Sequence, residues 1–188
     1  LWTIQNMASQ RVVKFLDVQD GDVILDACAG FGGKTLQMAE LLKDKAHIDF
    51  FDIVEKKVHA VQIRSQQMGF RHVKSVSEFS QKYDKILLDA PCSGEGCAFK
   101  TPVALRNWHI KNIRRIAKLQ YQLFLTAYHA LKPWGLLMYS TCTLNEEENE
   151  GVVAKALKKI QSLKFKVQND EEKHSEFWIL NSEFLEPL

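Results

Sequence analysis

No stretch of this 188-residue chain approaches the ~20 consecutive apolar residues that a membrane-spanning helix needs. No basic flank followed by an apolar run opens it, so no secretory leader is read either. Cysteine is sparse: Cys28, Cys92, Cys97 and Cys142, with no C-x-x-C pair among them. That spacing argues against a zinc site and a disulfide framework, and reduced thiols in a cytoplasmic setting are expected. Internal repeats, low-complexity tracts and linker-like stretches are missing, and the 46% apolar content suffices for a single folded domain over 1–188. There is no initiator Met, so a trimmed piece of a longer protein is expected. Acid is missing from Gly96 to Asn145, where Lys100, Arg106, Lys111, Arg114, Arg115, Lys118 and Lys132 all fall. A basic face of this kind suits a polyanion such as a nucleic acid, or is simply a solvated helix face.

What is present alternates between two periods. Val23-Ile24-Leu25, His47 to Phe51, Val73 to Val76, Lys85 to Leu88 and Leu136 to Tyr139 read as strands. Phe165-Lys166-Val167 and Phe177-Trp178-Ile179 read as late strands. Lys34 to Leu42, Glu55 to Met68 (closed by Gly69) and Glu146 to Ile160 read as helices. Val103 to Leu131 holds one or two amphipathic helices ended by Pro133 and Gly135. Thr143-Leu144-Asn145-Glu146 matches a capping box for the last helix, and the acids after it suit the positive end of a helix dipole without any catalytic role. Strands alternating with helices predict an α/β fold with a mostly parallel, twisted, Rossmann-like sheet covered on both faces.

Asp26-Ala27-Cys28-Ala29-Gly30-Phe31-Gly32-Gly33-Lys34-Thr35 joins the first strand to the first helix. Its glycines permit a sharp turn and a close ligand approach, and the helix start favours negative groups. Three ligands compete for this turn. A nucleoside triphosphate requires glycine at position 28, which is Cys28. A dinucleotide requires a third glycine at position 35, which is Thr35. S-adenosylmethionine requires Asp-x-x-x-Gly-x-Gly, which Asp26, Gly30 and Gly32 supply. Asp52, ending the second strand, is placed to hold ribose hydroxyls; the alternative is a helix cap, with Glu55 three residues on.

Cys92, in Asp89-Ala90-Pro91-Cys92-Ser93-Gly94, and Cys142, in Tyr139-Ser140-Thr141-Cys142, each follow a predicted buried strand. Ligands of open α/β sheets bind at the carboxyl ends of the strands, so both thiols are expected to face one pocket. A free Cys is otherwise a small buried apolar group, which is the reading kept for the side chains of Cys28 and Cys97. His109 and His129 lie on helical stretches and are expected at the surface or in packing.

Taken together, these stretches resemble the Sun/RsmB-like family of RNA cytosine-5 methyltransferases nearly end to end. Gln5-Asn6-Met7-Ala8-Ser9 is similar to the family's opening motif, with Asn6 for the usual Asp. Asp26 to Thr35 resembles its cofactor loop, with Gly30 and Phe31 departing from the common Ala or Ser and Pro. Asp89 to Gly96 and Tyr139 to Cys142, followed by Glu147-Glu148-Asn149-Glu150, resemble its two cysteine signatures. The resemblance implies a class I methyltransferase fold, whose last strand is expected to be missing because the chain ends at Leu188. It implies methyl transfer from S-adenosylmethionine to carbon 5 of cytosine in rRNA or tRNA, leaving S-adenosylhomocysteine, with no metal and no membrane. It implies Cys142 as nucleophile, Cys92 assisting release, and Asp89 on the cytosine edge. It implies cofactor contacts at Cys28, Ala29, Gly30, Phe31, Gly32, Gly33, Lys34, Asp52 and Asp89, with Lys57 beside the ribose acid and Glu78 the nearest candidate for a further acid. RNA is expected along Lys100 to Lys118, with Phe99 and Trp108 as stacking candidates, although core packing is the expected place for Trp108. The competing readings are a cofactor-binding RNA scaffold without catalysis, a methyltransferase of a small molecule or protein, and a nicotinamide-dependent enzyme.

Overall fold

The computed structural model describes residues 5, 7–79, 82–98, 108–164 and 176–180. Six strands form one sheet: β1 (Val23–Asp26), β2 (His47–Phe50), β3 (Val73–Ser75), β4 (Tyr83–Asp89), β5 (Leu131–Ser140) and β6 (Glu176–Leu180). Their order is β3-β2-β1-β4-β5-β6 and every pairing is parallel. The helices are α1 (Met7–Leu16), α2 (Gly33–Leu41), α3 (Glu55–Gln67), α4 (Ile110–Ala130) and α5 (Glu150–Lys164). Strand order reverses between β1 and β4, and the carboxyl ends at such a reversal are where open α/β sheets bind their ligands.

The period of two in each strand divides the core between two faces. Ile24, Phe50, Leu87 and Met138 pack with Val13 and Leu16 of α1, Met38 of α2 and Val61 of α3. Leu25, Ile86, Leu88, Leu137 and Tyr139 pack with Phe124 of α4 and Val152, Ala156 and Ile160 of α5. Each large side chain so enclosed contributes about 1.5–3 kcal/mol. Truncating one at the sheet centre, such as Leu87→Ala, costs about 2–5 kcal/mol through the cavity it leaves.

The sequence expectations meet four differences here. Helix α1 was read only as a motif, although buried Val12, Val13 and Leu16 give it an apolar stripe. Strand β5 begins at Leu131 rather than Leu136, because Tyr83 pairs with Leu131 and Lys85 with Leu136. The intervening residues bulge out, with Pro133 offering no N–H and Trp134 at φ 63°. The predicted helix from Glu146 is a 3-10 turn, Glu146–Glu148, before α5. The Thr143 capping box does not form: Asn145 caps the turn by accepting from the Glu148 N–H at 2.9 Å. Phe165 to Val167 and residues 101–107 lie outside the described residues.

Candidate active site at the carboxyl edge of the sheet

The glycine turn leaves β1 at Asp26 and is pinned to β2 by the Ala29 N–H on the Phe51 carbonyl, 2.9 Å. Gly32 has φ 79°, and a Cβ there would meet Val61 Cγ2 at 2.8 Å. The Gly30 N–H donates to Asp52 Oδ2 at 3.0 Å. Asp52 Oδ1 accepts from the Val54 N–H at 2.8 Å, and Lys57 Nζ stands 3.5 Å from Oδ2. Asp52 thus ties the ends of β1 and β2 together, and the helix-cap alternative falls because Val54, not Asp52, is the N-cap of α3. Phe31 and Ile53, which follow the bonded pair, are 59% and 89% exposed. Behind them Asp26 is buried, accepts the Thr35 hydroxyl at 2.7 Å and leaves Oδ1 without a partner. Burial pushes its carboxyl up to about 6. Cys28 packs against the core, and burial pushes its thiol up to about 12, consistent with a structural side chain. Glu78 is exposed just beyond β3.

The register Asp89↔Ser140 sets the ends of β4 and β5 side by side, and the Ala90 N–H bonds the Ser140 carbonyl at 2.9 Å. The two following loops therefore bring Cys92 Sγ and Cys142 Sγ to 2.9 Å. The Cys142 N–H also donates to Cys92 Sγ at 3.2 Å. Cys142 is exposed, whereas Cys92 is partly buried. These donors hold the Cys92 thiol below its ordinary range, the Cys142 S–H first among them. The Cys142 thiol is driven up by donating to Cys92, then by burial and by the charge on Cys92. Within the pair, a shared proton is thus held more tightly by Cys142 than by Cys92. Cys97, read from sequence as structural, bonds the Cys142 thiol with its own side chain.

Asp89, ending β4, accepts from Lys34 Nζ at 2.5 Å and from the Ser140 hydroxyl at 2.8 Å. This links the glycine turn to the cysteine loops. Sequence reading missed a second brace. Glu148 is fully buried and accepts from the Ser93 N–H, Gln120 Nε2 and Asn145 Nδ2, each at 2.9 Å. The signal was available, since Asn145-x-x-Glu148 overlaps Thr143-x-x-Glu146 and both match the cap pattern. Trp108 is not in the core: it is half exposed, and its indole N–H donates to Glu95. Glu95 Oε2 in turn accepts from the Thr143 hydroxyl and the Leu144 N–H.

Lys111, Arg114, Arg115 and Lys118 are exposed on α4. Arg114, Lys118 and Lys155 line a groove of ≈ 480 Å³ between α4 and α5. Lys132 is not on this face, because it pairs with Asp84 near the opposite end of β4 at 2.8 Å. His109 caps α4, its Nδ1 accepting from the Lys111 N–H at 3.1 Å, and His129 is exposed near the end of that helix. Lys100, Arg106 and Phe99 lie outside the described residues. Among the described residues, no cluster of His, Cys, Asp or Glu could hold a metal and no helix is long and apolar enough to cross a membrane.

A parallel sheet in this order, with a glycine turn at the strand-order reversal, is an α/β Rossmann-like fold of the class I methyltransferase type. Residues 13–179 match the family model of the 16S rRNA methyltransferases RsmB/F, and the chain belongs to that family. It is 38% identical over 172 residues to ribosomal RNA small subunit methyltransferase F of Aeromonas salmonicida, covering 85% of this chain and 36% of that one. It is 34% identical over 185 residues to human tRNA (cytosine(72)-C(5))-methyltransferase NSUN6, covering 88% and 39%. The crystal structure of NSun6 from Pyrococcus horikoshii with SFG superposes with a TM-score of 0.75 at 34% identity, covering 82% of this chain and 41% of that one. The chain therefore spans little more than a third of the length of the curated relatives named here.

Proposed function

We propose that this protein methylates carbon 5 of cytosine in RNA, with S-adenosylmethionine as donor. The observation that carries the reading is the 2.9 Å thiol pair beside the Lys34–Asp89 bond, on the strand ends next to the glycine turn. The relatives' names point the same way, one to a tRNA cytosine carbon 5 and others to small-subunit rRNA.

This edge of the sheet suits a nucleoside sulfonium. Gly30 and Gly32 keep the backbone close, the Asp52 carboxylate is on hand for ribose hydroxyls, and exposed Phe31 and Ile53 offer apolar faces for a purine. Cys28 through Gly33 would contact the donor mainly through the backbone, and Lys34 and Asp89 would close the inner end. When bound, S-adenosylmethionine supplies an electrophilic methyl group.

Carbon 5 of cytosine is a weak nucleophile until a sulfur adds at carbon 6. Cys142 makes that bond, since it is the exposed member of the pair. In the reactive form of the pair Cys92 is the thiolate, and as the Cys142 sulfur attacks, its proton passes to Cys92 across the 2.9 Å contact. Asp89 meets the base edge as a carboxylate accepting from the exocyclic amine, and the Lys34 ammonium beside it offsets the negative charge that thiol addition places on ring nitrogen 3. After methylation the carbon 5 proton leaves to water and the carbon 6–sulfur bond breaks. Cys92 shares its proton with the departing Cys142 sulfur, which restores the reactive form of the pair. The base must be unpaired or flipped to reach this loop, and the basic α4 face would hold the flanking phosphates.

The test is incubation of the protein with methyl-labelled S-adenosylmethionine and total RNA, followed by nucleoside analysis. Label in 5-methylcytidine is the expected result. Donor binding without labelled RNA would favour the scaffold reading instead.

A further inference from the structure

Glu148 is an acidic side chain buried among three hydrogen-bond donors and, among the described residues, no cation. Its carboxylate is fully buried, and among the described residues no Lys, Arg or His lies within ion-pair distance. Burying a carboxylate without a cation is costly, and a neutral side chain of similar size could fill the same volume. What the carboxylate does touch is specific. Oε2 accepts from the Ser93 N–H and from Gln120 Nε2, and Gln120 Nε2 also bonds the Pro91 carbonyl at 2.9 Å. The residues on both sides of Cys92 are thereby fixed. Oε1 accepts from Asn145 Nδ2, which also bonds Thr143 Oγ1 at 2.8 Å, and Thr143 follows Cys142. The Glu148 carbonyl holds the Tyr139 hydroxyl at 2.6 Å, in the strand that delivers Cys142.

We infer that Glu148 is a positioning residue that holds the Cys92 and Cys142 loops at thiol-to-thiol bonding distance. This deepens the proposed methyl transfer and rests on it for its use, but the geometry can be tested without RNA.

The ionisable groups packed around the two thiols are Asp89 with Lys34, Glu95, Cys97, Tyr139 and Glu148. The Glu148 charge opposes ionisation of Cys92, whereas the Cys142 S–H and N–H favour it. Geometry and charge therefore act on Cys92 in opposite directions, and two variants separate them. Glu148→Ala removes the brace, so the thiols part and Cys92 loses its donors. Glu148→Gln removes the charge and keeps the acceptor for Ser93 and Gln120, but its amide N–H2 then meets the Asn145 Nδ2 donor, so the link to the Cys92 loop stays and the link to the Cys142 loop is lost.

The experiment is iodoacetamide alkylation of the protein across a pH series, with Cys92 and Cys142 read separately by peptide mass spectrometry. Relative to wild type, the Cys92 midpoint is expected to rise by about one pH unit in Glu148→Ala and to lie clearly below the Glu148→Ala value in Glu148→Gln. The kcat of RNA methylation is expected to drop roughly a hundredfold in Glu148→Ala, with KM for S-adenosylmethionine unchanged and much of the rate recovered in Glu148→Gln. A residue that only stabilises the fold would lower the melting temperature and leave all three Cys92 midpoints alike, and that result would overturn the inference. If Glu148→Ala does not fold, Glu148→Asp takes its place: it keeps the charge and draws the carboxylate back from its donors by one methylene, so the Cys92 midpoint should rise, and an unchanged midpoint there overturns the inference. If no form methylates RNA, wild type included, the proposed activity fails while the alkylation series still decides the role of Glu148.

Discussion

Substituting Gly32 by Ala tests how tightly the cofactor turn is built. Two costs combine at that position. The backbone is left-handed, at φ 79°, a conformation that costs an L-residue about 1–2 kcal/mol. The new methyl would also lie 2.8 Å from Val61 Cγ2 and 3.0 Å from Cγ1, and Val61 is fully buried between α3 and the sheet. Forcing such a methyl into a packed core costs about 1–3 kcal/mol. The combined loss is about 2–5 kcal/mol, a large share of the roughly 5–15 kcal/mol that holds a domain folded. Gly30 supplies the internal control: φ is 56° there, but a Cβ would meet nothing within 4 Å, so Gly30→Ala carries only the backbone part. Urea unfolding at constant m reads the difference, with the Gly32→Ala midpoint the lower of the two by roughly 1 M. A Gly32→Ala protein no less stable than Gly30→Ala would refute the packing of the turn against Val61.

Further outcomes are expected at the site and beneath it. Cys142→Ala should abolish 5-methylcytidine formation, while Cys92→Ala, with water taking the Cys142 proton instead, should form the RNA–protein adduct more slowly yet accumulate it in a form that survives denaturing electrophoresis, because release is the step it slows most; the reverse pattern would exchange the two roles. Asp26 has its carboxyl raised to about 6 from 3.8, so the folded form binds the proton more tightly and this group's contribution to stability falls as pH rises from about 4 to above 6. Asp26→Asn should lack that loss, on the order of 3 kcal/mol, and a wild-type-minus-variant stability difference that is flat across this range would contradict it. Replacing Arg114 and Lys118 together by Ala should weaken RNA binding to all sequences alike and reduce the salt slope by about 2, with donor affinity unchanged. A filter-binding series in increasing salt measures it, and an unaltered slope would remove the groove from the RNA path.

Much of this arrangement was legible because the relevant signals are local. Val23-Ile24-Leu25 before three glycines, and the apolar runs before Cys92 and Cys142, specify strand ends, and strand ends are where a parallel sheet binds. What escaped depends on pairing across the chain. Nothing near Leu131 announces that β5 starts there, because the bulge over residues 132–135 follows from where Tyr83 and Lys85 sit. The choice between Thr143 and Asn145 as cap is made by Ser93 and Glu95, roughly 50 residues earlier, which already occupy the Thr143 hydroxyl. Trp108 looked like a core residue by type, yet its indole N–H finds Glu95 at the rim of the site. Composition likewise grouped Lys132 with the α4 basic residues, but Asp84 holds it near the other end of the strand.

The division of labour between the two sulfurs can be read directly by trapping. RNA carrying 5-azacytosine should capture the attacking thiol as a stable adduct, and digestion followed by mass spectrometry locates the modified peptide. The nucleotide is expected on Cys142, with Cys92 unmodified. Recovery of the nucleotide on Cys92 would contradict the assignment of Cys142 as the nucleophile.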